Sequence, residues 1–161
     1  MDVFRICSKT YLPQDSSGAA LSSEGRWHKK GQHVLYFSNS LATCVLERRS
    51  NGISYNTIRT FDHFAVARIP DDASIESVPE EFYEDGWQQS KIKSQDFGSK
   101  WYTENRSLVL RVKSAVIAVE DNLIINTNHP QFSSITFSNP KKTELDPRLS
   151  EKEDADSGRS A

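Results

Sequence analysis

Apolar positions in this chain come in short runs, and the spacing inside each run separates strands from helices. Residues 3–7 (Val-Phe-Arg-Ile-Cys) and 33–37 (His-Val-Leu-Tyr-Phe) are brief and rich in β-branched and aromatic side chains, which predicts strands. Residues 12–24, rich in Ser, Gly and Asp, read as a polar loop between them. Ser38-Asn39-Ser40 then opens a helix to about residue 49, because short polar side chains accept hydrogen bonds from the unpaired amides of a first turn. Leu41, Ala42, Val45 and Leu46 recur at one, four and five, which predicts one apolar stripe with Glu47 beside it. Ser50-Asn51-Gly52 is the stop.

Beyond that turn the pattern changes. Residues 61–69 set Phe, His, Ala, Ala and Ile against Asp, Phe, Val and Arg, so a strand covered on both faces is expected, ended by Pro70-Asp71-Asp72. Residues 74–78 predict another short strand. Pro79-Glu80-Glu81 suits a first helical turn, where proline lacks no needed donor and acids meet the dipole. A second helix is expected over 94–107, since Phe97, Trp101 and Asn105 lie four apart. Residues 108–112, 115–119, 123–125 and 135–137 are aliphatic runs read as strands. The fold class is therefore α+β, a small mixed β-sheet with flanking helices. The polar, charged tail is expected to be disordered from about residue 151.

Composition narrows the function classes. A chain of 161 residues that is 36% hydrophobic can bury a core and suits a single domain. Its 20 basic and 22 acidic residues leave a net charge of −2, which removes any bulk attraction to nucleic acid or an anionic membrane. No run of about 18 apolar residues is present and the first residues lack a secretory pattern, so a cytoplasmic protein is expected. Cys7 and Cys44 are expected to be reduced, and two thiols with four scattered histidines show no metal-ligand spacing.

The candidate chemistry lies in residues 25–47. Gly25 and Gly31 free the backbone around Arg26, whose planar fork suits phosphate or carboxylate, although a solvated loop cation is the simpler reading. Tyr36 is either a core aromatic or a stacking surface for a planar ring. Glu47 precedes Arg48 and Arg49, so a surface ion pair competes with a role in a pocket. Ser107 and Ser114 flank the predicted strand 108–112 and would ordinarily be strand-end hydroxyls. Aromatics interleaved with Arg26, Arg48, Arg49 and Arg59 also leave open a single-strand nucleic-acid module.

In combination, Arg5, Gly25-Arg26-Trp27, Gly31, Tyr36-Phe37-Ser38, Ala42 and Glu47 resemble the N-terminal half of the RES domain. Trp101, Ser107-Leu108-Val109-Leu110, Ser114, Asn122, Asn126, His129-Pro130 and Asp146-Pro147-Arg148-Leu149 resemble its second half. His28 stands where that pattern usually has asparagine, and Lys113 where it usually has proline. The resemblance implies an ADP-ribosyltransferase-like catalytic domain over residues 1–149, followed by the polar tail at 150–161. It implies a toxin of a bacterial toxin–antitoxin pair with an Xre-type helix-turn-helix antitoxin as partner. It also implies NAD as substrate, with no resident cofactor, consumed by hydrolysis or phosphorolysis of the nicotinamide–ribose bond or used to ADP-ribosylate a protein. The implied site is Glu47, Arg26 and Tyr36, with Ser114 preferred over Ser107 as the serine that contacts substrate. An inactive descendant that only binds its antitoxin is the remaining alternative.

Overall fold

A computed structural model describes residues 1–12, 23–84 and 86–150. The predicted tail beyond 150 and most of the predicted polar loop lie outside them. The strands are β1 (Asp2–Ser8), β2 (Val34–Ser38), β3 (Asp62–Arg68), β4 (Ile75–Ser77), β5 (Val109–Lys113), β6 (Asp121–Asn126), β7 (Thr136–Phe137) and β8 (Lys141–Lys142). The helices are α1 (Leu41–Ser50), α2 (Tyr55–Phe61) and α3 (Ile92–Thr103). They form the mixed sheet with flanking helices expected of the sequence, in the order β4-β5-β6-β2-β1-β3-β7, with β8 also on β3. Among the described strands only β4 and β5 run parallel.

One junction in this sheet differs from the rest. β1 pairs with β3 along its whole length, from Asp2 with Arg68 to Ser8 with Asp62, and β2 pairs with β6 along all of its own. Between β1 and β2 the register holds a single pair, Phe4 with Ser38. Past that pair the two strands leave a cleft whose walls carry Arg5, Cys7, Tyr36 and Phe37.

Strand alternation distributes the core around this split. Val3, Leu35, Phe37, Ala67, Leu123 and Ile125 fill one face of the sheet, under Phe132 and Phe137. On the other face, Trp27, Val34, Leu110 and Ile124 pack with Trp101 of α3, while Ile6 packs with Cys44 and Val45 of α1 and Ile58 of α2. The cleft opens between these two clusters.

Several local expectations are corrected. α1 starts as predicted, with Thr43 N–H donating to the Ser40 side chain at 3.1 Å, but it buries Thr43, Cys44 and Val45 and exposes Ala42. The helix is turned this way by its seat over β1, where the Cys44 thiol donates to the Phe4 carbonyl at 3.1 Å. α2 was not predicted: it buries only Ile58, too little for a periodic signal, and it is announced by its Ser54 cap alone. Phe61, expected to start a strand, ends this helix and is exposed. Residues 115–119 form a loop rather than a strand, because the Ser114 hydroxyl accepts the amides of Val116 and Ile117 and curls the chain out of β5. The turn beginning Pro79 yields two short 3-10 segments, Glu80–Phe82 and Trp87–Gln89, and α3 ends at Thr103, two residues before Asn105 adopts φ 52°.

α3 approaches the loop before β2 closely enough to require glycine. A Cβ on Gly98 would stand 1.9 Å from the Trp27 carbonyl oxygen, which is backbone and cannot swing aside. Gly98→Ala should therefore cost about 1–3 kcal/mol, the range for overpacking, and lower the melting temperature by roughly 2–4 °C per kcal/mol. Thermal unfolding followed by circular dichroism checks this; an unchanged midpoint would show that helix and loop slide apart freely.

Candidate active site

The loop at 25–28 is anchored by its tryptophan. Trp27 is buried against Phe82, Trp87 and Phe97, with ring centroids 5.3 to 6.4 Å away. This fixes its neighbour Arg26 on the cleft wall, where Nη2 donates to the Gln88 carbonyl at 2.8 Å and the guanidinium lies 5.5 Å from the Trp87 ring centre. Nη1 is buried without a partner, and no carboxylate pairs with Arg26 among the described residues. Arg5, entering the cleft from β1, is a second cation whose Nε is buried and has no hydrogen-bond partner among the described residues.

Gly25 serves a different purpose from the one its sequence suggests. A Cβ there would lie 2.6 Å from the His28 ring and 2.9 Å from the Tyr36 hydroxyl, so the glycine makes room for a close contact. Backbone freedom is needed at Gly31, where φ is +88°. In the space left by Gly25, Tyr36 Oη accepts from Trp27 N–H at 3.1 Å and meets His28 Nδ1 at 2.8 Å. Burial holds the Tyr36 phenol far above its ordinary pKa, so it stays neutral.

Glu47 is presented from α1 and is not tied to its sequence neighbours. Arg48 turns the other way, into a bidentate pair with the buried Asp62 at 2.8 to 3.1 Å, and Arg49 donates to the Ile53 carbonyl and covers the Tyr55 ring. The Glu47 carboxylate points across the cleft, where Oε1 accepts from Ser114 Oγ and Asn122 Nδ2, both at 2.7 Å. Among the described residues nothing bonds Oε2. Asn122 is itself oriented by the Ser38 hydroxyl, which donates to its Oδ1.

The structure thus gathers Arg26, Tyr36 and Glu47 on one cavity of about 890 Å³, within the range of small-molecule sites. The two serines part company. Ser107 lies in the core, accepting from the Trp101 indole and donating to the Val109 carbonyl, both at 2.8 Å, and does not line the cavity. Ser114 is fully buried behind Glu47 and spends its proton there, so it supports the carboxylate. Asn122, Ser38 and His28 complete the group. An Asn-Leu-Ile-Ile start to a strand carries no chemical signal, and only the pairing of β2 with β6 brings Ser38 opposite Asn122. Lys113 reaches Glu80 and the Tyr83 ring, while its own amide donates to the Tyr83 hydroxyl at 2.9 Å, so the start of the Ser114 turn is held firmly. Burial pushes the Tyr83 phenol up to about 12 and the Cys44 thiol up to about 11; both cysteines are free. Among the described residues no three metal-binding side chains gather, and no helix is long and apolar enough to cross a membrane.

A model of the RES domain matches residues 2–146. The chain belongs to the RES domain family. A Yersinia enterocolitica protein named Toxin Res is 28% identical over 153 residues, covering 92% of this chain and 99% of the relative. A Sphingobium protein named Prs ADP-ribosylating toxin is 31% identical over 151 residues, covering 88% and 91%. Among solved structures, a chain of the M. tuberculosis MbcT–MbcA toxin–antitoxin complex superposes with a TM-score of 0.67 at 14% identity, covering 94% of this chain and 87% of that one. At that identity the match speaks for the fold, and the RES domain here has the expected ADP-ribosyltransferase-like architecture.

The placement of the serines generates a test. Ser107→Ala strands the Trp101 indole N–H in the core, which should cost about 1–3 kcal/mol. Urea unfolding should show that loss; an unchanged midpoint would show that the indole does not depend on Ser107 and would free its hydroxyl for the site.

Proposed function

We propose that this RES domain is the toxin of a toxin–antitoxin pair and consumes NAD in the cytoplasm by breaking its nicotinamide–ribose bond in the cavity between β1 and β2. The observation that carries this reading is Glu47: one carboxylate oxygen is pinned by Ser114 and Asn122, and the other is unbonded among the described residues, on a cavity that also presents Arg26 and the ring of Tyr36. When the bond from ribose C1′ to the nicotinamide nitrogen breaks, its electron pair leaves with nicotinamide and positive charge develops on the ribose. A fixed carboxylate stabilises that charge without having to reorganise. Glu47 Oε2 also accepts a hydrogen bond from a ribose hydroxyl or the incoming nucleophile. Water then adds its oxygen to C1′ and releases one proton; phosphate adds in the same way and gives the 1′-phosphorylated product.

Arg26, a cation without a carboxylate partner, suits the substrate diphosphate, and its contacts to Gln88 and Trp87 hold it in one pose. Tyr36 stacks on nicotinamide. The near-neutral net charge and the lack of a basic run speak against a nucleic-acid module. The antitoxin would cover the cavity; the solved toxin–antitoxin complex of similar fold supports a protein partner, and the Xre-type assignment rests on the family resemblance. A second reading, transfer of ADP-ribose to a protein, is favoured by the Sphingobium relative's name. Both readings use the same bond cleavage and differ in the nucleophile.

Purified wild-type protein should release nicotinamide from NAD, and Glu47→Gln should be slower by about a hundredfold or more, the usual loss of one electrostatic stabiliser. Chromatography of the products with and without phosphate identifies the acceptor. If the wild type is inert alone, labelled NAD added with lysate should give a labelled protein band that Glu47→Gln abolishes. Full activity of Glu47→Gln in either assay would remove Glu47 from the mechanism.

A further inference from the structure

His28 is 4% exposed, sits in the loop between Trp27 and β2, and faces Tyr36 with ring centroids 5.5 Å apart. Its two nitrogens meet partners of different kinds. Nε2 lies 3.2 Å from the Ser23 carbonyl oxygen, and a carbonyl only accepts, so Nε2 carries the proton. In the neutral ring Nδ1 is then a bare acceptor, 2.8 Å from Tyr36 Oη. That oxygen already accepts from Trp27 N–H at 3.1 Å, which leaves its own proton to be given to Nδ1. The opposite tautomer would put the Nε2 lone pair against the Ser23 carbonyl oxygen. One continuous chain of donors results: Trp27 N–H to Tyr36 Oη, Tyr36 O–H to His28 Nδ1, and His28 Nε2–H to the Ser23 carbonyl.

Taking Tyr36 as the stacking wall of the proposed NAD site, we infer that His28 is a positioning residue that binds the Tyr36 hydroxyl proton at Nδ1 and so fixes the ring for substrate while leaving it no proton to donate. Two consequences distinguish this from simple packing. Tyr36 acts through its ring, so removing His28 loosens substrate binding more than it slows bond cleavage. The effect on the Tyr36 ring passes through that hydroxyl, so it should vanish when the hydroxyl is absent.

The test has two arms. Nitrogen-15 NMR of histidine-labelled protein, with His28 assigned by its loss in His28→Asn, should show Nδ1 unprotonated and Nε2 protonated; a protonated Nδ1 in the neutral ring overturns the proposal whatever the protein does to NAD. In steady-state NAD consumption, His28→Leu should raise KM about tenfold with kcat within about twofold, as expected for one lost hydrogen bond. Tyr36→Phe should show a similar rise, and the double variant should be no worse than Tyr36→Phe. His28→Asn, whose side-chain oxygen can accept the same proton, should restore KM to within about threefold. Effects of the two single variants that multiply in the double, or a His28→Leu loss confined to kcat, overturn the proposal. If His28→Leu does not fold, the NMR arm decides, and a protonated Nδ1 in the neutral ring again overturns the proposal. An inert wild type would refute NAD consumption instead, and the NMR arm still decides His28.

Discussion

The structure depends on a sheet that is nearly cut in two. β1 and β2 share one residue pair, Phe4 with Ser38, while each is fully paired on its other side. Inner edges that would ordinarily bond to each other line a cavity instead. Such an opening needs something to hold its two halves at a fixed separation, and α1 does so with consecutive residues. Arg48 forks onto Asp62 in β3, on the β1 side, and Glu47 reaches Ser114 and Asn122 at the β5–β6 hairpin, on the β2 side. Charge-assisted bonds of this kind are about twice as strong as neutral ones. Breaking the pair by removing Arg48 would leave Asp62, 2% exposed, as an uncompensated buried charge, a loss of about 3–5 kcal/mol. The clasp that sets the cleft width therefore also aims the carboxylate.

The opposite wall is rigid for an apolar reason. Trp27 is surrounded by aromatic rings, and α3 presses on its backbone at Gly98 without a side chain between them. Arg26 follows directly in sequence, so a small apolar core sets the position of a cation. Gly25 and Gly98 bracket this loop from two sides, each present because another group occupies the place of its Cβ. Shape, more than backbone flexibility, is what these glycines supply.

Which parts were legible in the sequence follows from what each signal measures. The start of α1 could be read because Ser40 forms its cap locally, with no help from tertiary contacts. The buried face of α1 could not, because Thr43 and Cys44 are turned inward by a seat on β1 that apolar spacing does not encode. Residues 115–119 have the composition of a strand, but the Ser114 hydroxyl competes for their amides and wins. Arg26, Tyr36 and Glu47 stood out through a resemblance of pattern. The resemblance preferred Ser114 over Ser107 as the serine that contacts substrate, although both flank a strand. Geometry separates them: one hydroxyl satisfies a core indole and the other a carboxylate. Asn122 and Ser38 belong to the resembling pattern, but their contact could not be read from it, because their meeting is a matter of strand register.

The polar groups of the cleft share one arrangement. Glu47 commits Oε1 to two donors and leaves Oε2 unbonded; Arg26 commits Nη2 to a carbonyl and keeps its charge unneutralised; Tyr36 commits its hydroxyl to Trp27 and His28 and leaves its ring as a wall. Each group is thus held by one end and available at the other. A carboxylate or guanidinium left wholly to solvent would have to shed water and stop rotating when a ligand arrived. Here that cost is met during folding, where it is offset by the bonds that hold the committed ends. A site prepared in this way stabilises charge that appears during a reaction better than charge already present in the ligand, because its dipoles do not move in response. In the proposed reaction the Ser114 and Asn122 contacts would therefore be part of the chemistry although neither need touch a substrate: without them Glu47 could follow a ligand's charge, and with them it would wait at one point for charge to develop.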